Sequence, residues 1–180
     1  MAAESKLPAV TLVLGAAASG KSRYAEQLVE VSSYDRIYVA TATSDDAEMA
    51  ERIRRHRARR GADWQTIEEP HDLTGTLRLR AKPGTAMLVD CLTLWLTNRM
   101  LADADLDQEV GDLAKALGDA EGSIVLVSNE VGAGIVPNNQ MARRFRDHAG
   151  QMNQQIAAEA DSVILVTAGL PQILKSSEEG

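Results

Sequence analysis

The stretch VTLVLGAAASGKSRYAEQL, residues 10–28, decides the fold of this chain. It begins as a short apolar run typical of a buried strand, and it ends in a helical pattern with Tyr24, Ala25 and Leu28 at helical spacing. Between the two, residues 15–22 fit the phosphate-loop pattern G-x-x-x-x-G-K-[ST]. A chance match is the weaker interpretation, because the strand and the helix are the flanks that this loop requires.

The predicted phosphate loop has a physical mechanism for holding nucleotide phosphates. Gly15 and Gly20 permit backbone conformations that are closed to residues with a Cβ. The loop N–H groups then point inward, at the positive end of the dipole of the following helix. Lys21 adds a mobile charge for the β and γ phosphates, and the Ser22 hydroxyl suits Mg²⁺. The predicted nucleotide contacts in the loop are Gly15, Ala16, Ala17, Ala18, Ser19, Gly20, Lys21 and Ser22.

The bulk composition is that of a globular protein. A length of 180 residues suggests one phosphate-loop domain over residues 1–180. A net charge of −7 argues against a general nucleic-acid-binding surface, and the one cysteine, Cys91, excludes an internal disulfide. Neither a signal peptide nor an apolar run of about 18 residues is present, so we expect a cytoplasmic protein without a membrane span.

Apolar runs alternate with helical patterns along the chain. Strands are predicted near residues 10–14, 36–41, 86–90, 123–128 and 161–167. Residues 61–75 are predicted to form an irregular connection that leads into a short helix, and the tail from Gly169 to be short and polar at its end. This order predicts an α/β fold, a mostly parallel sheet with helices on both faces.

Ligands of such sheets bind at the carboxyl ends of the strands. The stretches predicted to meet in one crevice there are residues 15–22, 41–44, 90 and 129–134. Asp90 ends an apolar strand and is predicted to hold Mg²⁺ through water, against the alternative of a solvated carboxylate. Glu130 is interpreted in two ways, as a group for the metal or a substrate hydroxyl, or as a carboxylate that accepts loop N–H bonds.

One histidine has unusual surroundings. His56 lies in a predicted helix over residues 47–60, and the arginines within four residues of it are Arg52, Arg54, Arg55, Arg57, Arg59 and Arg60. Such a positive field favours a neutral, nucleophilic imidazole and attracts a triphosphate. The alternatives are a solvated histidine and a basic face that docks a neighbouring subunit. His71 and His148 are interpreted as structural.

These motifs together resemble one known family, the bifunctional adenosylcobinamide kinase and adenosylcobinamide-phosphate guanylyltransferase of cobalamin synthesis. The resemblance extends from about residue 11 to 169 and is strongest in the block SNEVGAGIVP, residues 128–137. The other matching stretches are the phosphate loop with Arg23, residues 38–41, 46–56, 64–68 and 90–93, Thr97-Asn98, and residues 142–143, 145–147 and 150–153.

The resemblance implies two reactions. Adenosylcobinamide is phosphorylated with ATP or GTP, and GMP from GTP is then transferred to adenosylcobinamide phosphate through a histidine–GMP intermediate, here on His56. It also implies Mg²⁺ and a homotrimer in which the His56 helix completes a neighbour's site. The nucleotide contacts that it implies beyond the phosphate loop are Thr41, Ala42, Thr43, His56, Arg57, Ala58, Arg59, Glu68 and Asp90.

The chain departs from the family pattern in the phosphate loop. Ala16 stands where the family has a second glycine, and Ala18 stands where it has an arginine whose phosphate contact would contribute about 1.5–3 kcal/mol. Arg55 replaces the first of two adjacent histidines and leaves His56 as the covalent site. Two rival functions stay open at this point, a simple phosphate-loop kinase of a small molecule and a nucleotide-binding regulatory module.

Overall fold

The computed structural model describes residues 7–43 and 61–176. The strands are β1 Val10–Gly15, β2 Asp35–Ala40, β3 Trp64–Glu68, β4 Thr85–Asp90, β5 Ser123–Asn129, β6 Ser162–Thr167 and β7 Leu170–Lys175. The helices are α1 Lys21–Glu30, α2 Leu73–Arg80, α3 Leu92–Leu101, α4 Leu106–Gly118 and α5 Gln140–Glu159. The helix predicted over residues 47–60 lies outside the described residues.

The strands form one 7-stranded sheet in the order β3-β2-β4-β5-β1-β6-β7. All neighbours pair in parallel except β7, which is antiparallel to β6. The interior strand β1 is buried along its whole length, with Leu12 opposite Leu126 on one side and Val163 on the other. A strand buried on both faces needs a continuous apolar run, which is why the sequence pattern predicted the parallel sheet correctly.

Helices cover both faces of the sheet. Successive residues of β1 point to opposite faces, so Leu12 packs with Trp95 and Leu113 of α3 and α4, while Val13 packs with Val29 of α1. The predicted two-sided arrangement is therefore confirmed. Within the described ranges, no helix has both the length and the apolar character needed to cross a bilayer.

The prediction of an irregular connection over residues 61–75 was wrong for Trp64–Glu68, whereas the short helix predicted to follow it is confirmed as α2. This segment contains β3 and the start of α2, whose first turn is capped by the Asp72 side chain accepting from the Gly75 N–H at 2.9 Å. β3 lies at the sheet edge, where Trp64 is buried and the following residues are partly or fully exposed. An edge strand of this kind lacks the apolar run by which the other parallel strands were recognised.

The polar tail expected after Gly169 is also a strand. A turn with left-handed backbone at Ala168 (φ 53°) and Gly169 (φ 78°) reverses the chain into β7. Every side chain of β7 is exposed, so no burial pattern marks it in the sequence. The turn matters for the site, because the Gly169 N–H donates to the Ser19 carbonyl of the phosphate loop at 2.8 Å.

Candidate functional site

The carboxyl ends of the central strands meet at one edge of the sheet. Gly15 of β1 is in register with Asn129 of β5, and Ala40 of β2 is in register with Asp90 of β4. The Glu130 N–H donates to the Gly15 carbonyl at 3.1 Å, which ties the loop after β5 to the phosphate loop. These strand ends therefore share one edge of the sheet, which is where the sequence predicted a ligand-binding crevice.

The phosphate loop is held at both ends by backbone hydrogen bonds. Within the loop, the Ser19 N–H donates to the Ala16 carbonyl at 3.2 Å. Gly20 has φ 94°, and its carbonyl accepts from the Tyr24 N–H at 3.0 Å in the first turn of α1. Gly20 therefore occupies the left-handed conformation that the motif predicts for a glycine.

The role predicted for Gly15 needs correction. Gly15 lies in β1, and the left-handed residue in this part of the loop is Ala18, with φ 57°. A Cβ on Gly15 would lie 2.4 Å from Ser19 Oγ and 2.7 Å from the Val166 carbonyl oxygen. Glycine is needed at this position for close packing rather than for an unusual φ.

Lys21 lies at the mouth of the loop with a mostly buried side chain, 7% exposed. Its Nζ donates to the Ala16 carbonyl at 3.0 Å. Burial and then the negative charge of Asp90 raise the pKa of the Cys91 thiol, whereas the positive charge of Lys21 lowers it. The ammonium group of Lys21 is therefore close enough to the end of β4 to act on it electrostatically.

Asp90 and Ser22 are two partly exposed oxygen-bearing residues at the carboxyl edge of the sheet. The Tyr38 hydroxyl donates to Asp90 Oδ2 at 3.1 Å and fixes the carboxylate at the end of β4. Ser22 is partly exposed in the first turn of α1, which packs against β4 and β5. A carboxylate and a hydroxyl are hard oxygen donors, and Mg²⁺ binds through one or two such groups while keeping water ligands. These residues fit the metal that the resemblance implies.

Thr41 lies beneath the crevice rather than in it. Its side chain is 0% exposed, and its hydroxyl both donates to the Cys91 carbonyl at 2.8 Å and accepts from the Cys91 N–H at 2.9 Å. The Asn98 amide of α3 donates to the Thr41 carbonyl at 2.8 Å and to the Pro70 carbonyl at 3.0 Å. Thr41 was predicted as a nucleotide contact. In the structure its side chain is buried and supports the site through hydrogen bonds to the Cys91 backbone.

The structure describes only some of the other predicted nucleotide contacts. Ala42 and Thr43 are partly exposed after β2, and Glu68 is exposed at the neighbouring end of β3, where its backbone is in register with Ala40. They share the carboxyl edge with the phosphate loop. The predicted contacts outside the described residues are His56, Arg57, Ala58 and Arg59.

A second set of polar side chains, which was not predicted from the sequence, supports the end of β5. Asn129 Nδ2 donates to Thr93 Oγ1 at 2.7 Å, and Thr93 Oγ1 lies 3.1 Å from Cys91 Sγ. Asn153 of α5 accepts from the Ser128 hydroxyl at 2.7 Å and donates to the Asn129 carbonyl at 3.2 Å. The available signal was Asn153 itself, a polar residue beside the apolar stripe of its helix.

The Glu130 side chain is bonded to its own loop. Its Oε1 accepts from the Gly132 N–H at 2.7 Å, and the side chain is exposed. This contact agrees with the second interpretation, a carboxylate that accepts a hydrogen bond from a loop N–H.

The two described histidines take part in structural contacts. The His71 carbonyl accepts from Trp95 Nε1 at 2.9 Å. His148 Nδ1 lies 3.8 Å from Asp107 Oδ1, between α5 and α4. The His148 contact agrees with the structural interpretation, whereas the His71 contact is made by the backbone and the His71 side chain is exposed.

The Asn98→Ala variant should be destabilised by about 1–3 kcal/mol, because two buried or partly buried carbonyls lose their donor. Chemical denaturation measures the loss. The matched control is Asn138→Ala, since the Asn138 side chain is exposed and should change stability by less than about 0.5 kcal/mol. Equal stability of the two variants would contradict the assigned support role.

Gly20→Ala is expected to lower the melting temperature and weaken nucleotide binding. Alanine in the left-handed region costs about 1–2 kcal/mol, and its Cβ would lie 3.2 Å from Gly169 Cα. Differential scanning fluorimetry should show a fall of roughly 2–8 °C. Gly134→Ala is the control, because a Cβ there meets nothing within 4 Å. A Gly20→Ala protein as stable as the control would overturn this explanation.

Solved structures share the fold of this chain. Flagellar accessory protein FlaH from Methanocaldococcus jannaschii aligns with TM-score 0.54 and 14% identity, covering 94% of this chain and 80% of that one. The RadB recombinase aligns with TM-score 0.53 and 15% identity, covering 88% and 74%. At such identities the likeness shows the fold alone, a mostly parallel phosphate-loop sheet flanked by helices.

Sequence relatives are much more similar. The bifunctional adenosylcobalamin biosynthesis protein CobP of Pseudomonas aeruginosa is 51% identical over 166 residues, 91% of this chain and 96% of its own. The bifunctional adenosylcobalamin biosynthesis protein CobU of Escherichia coli K12 is 40% identical over 174 residues, which cover 88% of this chain and 96% of its own. The sequence model of the family described as CobU, cobinamide kinase / cobinamide phosphate guanyltransferase, matches residues 11–174. The chain therefore belongs to the cobinamide kinase / cobinamide phosphate guanyltransferase family of enzymes.

Proposed function

We propose that both reactions of the family take place in the crevice at the carboxyl edge of the sheet. The first phosphorylates the hydroxyl of the aminopropanol arm of adenosylcobinamide with ATP or GTP. The second joins GMP from GTP to the new phosphate and releases pyrophosphate. The observation that carries the proposal is the phosphate loop itself, with the buried Lys21 at its mouth and Asp90 beside it.

In the kinase step the chain binds and orients charged groups. Lys21 exchanges its bond to the Ala16 carbonyl for phosphate oxygens, and the loop N–H groups hold the β-phosphate. Ser22 and Asp90 would hold Mg²⁺, which when bound neutralises charge on the phosphate oxygens. Tyr38 keeps the Asp90 carboxylate in place through its hydroxyl.

In the second step we propose that His56 is the nucleophile. A new N–P bond forms to the α-phosphorus of GTP as the bond from that phosphorus to the α–β bridging oxygen breaks, and pyrophosphate leaves. The phosphate of adenosylcobinamide phosphate then displaces GMP from the imidazole. Arg57, Ala58 and Arg59 belong to the same proposed nucleotide contact, and Thr43 after β2 is proposed as a further contact. The arginine cluster around His56 supports this role, because it attracts polyphosphate.

We also propose a homotrimer in the cytoplasm, where its nucleotide substrates are found. Support for self-association comes from β7, an edge strand on which Leu170, Ile173 and Leu174 are exposed. Exposed apolar edge strands are commonly covered by another chain. Light scattering tests the assembly, since a trimer has three times the 19.4 kDa of one chain and a monomer would contradict the proposal.

A product assay tests the function directly. The protein is incubated with adenosylcobinamide, ATP, GTP and Mg²⁺, and corrinoid products are identified by mass spectrometry. We expect adenosylcobinamide phosphate first and adenosylcobinamide-GDP after it, with pyrophosphate released. A reaction that stops at the phosphate would indicate a simple kinase, and the absence of turnover would indicate a nucleotide-binding module.

A further inference from the structure

We propose that Asn129 is a further catalytic residue, which orients the attacking hydroxyl of the acceptor in the phosphoryl-transfer step. Thr93 and Asn153 are its positioning residues. The inference rests on the kinase activity proposed above and adds a contact to the acceptor.

The position of Asn129 in the sheet favours this role. It is the last residue of β5, the strand between β1, which carries the phosphate loop, and β4, which carries Asp90. It is in register with Gly15, whereas Asp90 is in register with Val127, so Asn129 lies two positions further toward the carboxyl edge. An acceptor that approaches the γ-phosphate from this edge reaches the end of β5.

Thr93 holds the side-chain amide of Asn129, and Asn153 holds its backbone. Nδ2 donates to Thr93 Oγ1 at 2.7 Å, and the backbone carbonyl accepts from Asn153 Nδ2 at 3.2 Å. The residue is partly exposed, and among the residues that the structure describes Oδ1 has no hydrogen-bond partner. An amide oxygen accepts a hydrogen bond from a hydroxyl and repels phosphate oxygens. The orientation therefore suits an alcohol acceptor beside a bound nucleotide.

The chemical step needs orientation more than a strong base. The acceptor oxygen forms a bond to the γ-phosphorus while the bond from that phosphorus to the β–γ bridging oxygen breaks, and the hydroxyl proton passes to water. The Asn129 amide accepts the hydrogen bond without taking the proton, and so directs an oxygen lone pair at phosphorus. Glu130 is less suited, because its Oε1 is engaged by the Gly132 N–H and a carboxylate would meet the charge of the phosphate.

The test separates the two reactions of the enzyme. In Asn129→Ala, kcat for phosphorylation of adenosylcobinamide should fall by about 100-fold, because the acceptor loses its alignment. The Kd for nucleotide should stay within about 3-fold of wild type. The kcat for GMP transfer to supplied adenosylcobinamide phosphate should also stay within about 3-fold of wild type. Neither nucleotide binding nor GMP transfer involves the acceptor hydroxyl. Asn138→Ala, whose side chain is exposed, is the control that should keep wild-type values.

A second pair of variants tests the proposal should Asn129→Ala fold poorly. Thr93→Val removes the partner of the Asn129 amide and should lower kinase kcat by about 10-fold, and Thr93→Ser should restore it. Equal loss in both reactions, a loss confined to nucleotide Kd, or unchanged kinase kcat would each overturn the role of Asn129. Wild-type protein that makes no adenosylcobinamide phosphate would instead refute the proposed kinase function.

Discussion

His56→Ala should abolish GMP transfer while leaving the kinase step within a few-fold of wild type. The variant removes the nucleophile that receives GMP, so turnover to adenosylcobinamide-GDP should fall by at least about 10³-fold. Incubation with α-labelled GTP measures the intermediate. Wild-type protein should acquire a label that is lost in acid and retained in alkali, as expected of a phosphorus–nitrogen bond to histidine.

A matched histidine makes this result specific. His148 lies on α5, with Nδ1 3.8 Å from Asp107 Oδ1 of α4, so His148→Ala should label like wild type. His56→Ala should show no label above background. If His56→Ala were labelled as strongly as wild type, the covalent scheme would fail.

Lys21→Ala should remove most of the kinase activity. The ammonium group is the one charge that the phosphate loop itself brings to the phosphates, and its loss should lower kcat by about 10²–10³-fold. Steady-state kinetics with saturating ATP and adenosylcobinamide measure the effect.

An exposed lysine gives the control for this variant. Lys82 lies before β4, outside the carboxyl edge, and Lys82→Ala should keep wild-type turnover and stability. Near-normal turnover of Lys21→Ala would remove the phosphate loop from the mechanism.

Much of the fold was predictable, because burial leaves a direct pattern in the sequence. β1 and the other central strands are buried on both faces, and each is an apolar run. β3 and β7 lie at the two edges of the sheet and are largely exposed, so the same pattern is missing from them. The error came from the position of these strands in the sheet, which sequence periodicity does not reveal.

The site was predictable where it is local. Residues 15–22 form one continuous motif, and their loop is confirmed. The supporting bonds were not predictable, because Asn98 and Thr41 are 57 positions apart and Asn129 and Thr93 are 36 apart. Only the folded sheet brings these side chains together.

The structure also shifts the expected cost of the unusual alanines in the phosphate loop. Ala16 replaces a glycine of the family, so the sequence alone would place any backbone strain there. Among the described residues, the left-handed position of the loop that carries a side chain is Ala18, with φ 57°. Backbone strain of about 1–2 kcal/mol is therefore located at Ala18, and the missing arginine remains the other difference at that position.

The central claim is that one bound GTP is held at Gly20 by its phosphates and reached by the imidazole of His56. A crystal structure of the protein soaked with GTP tests it most directly. We predict phosphorus bonded to an imidazole nitrogen of His56, with the released phosphates against Gly20 and Lys21. A bound triphosphate whose α-phosphorus lies far from every His56 ring, within each subunit and across each subunit boundary, would contradict the account.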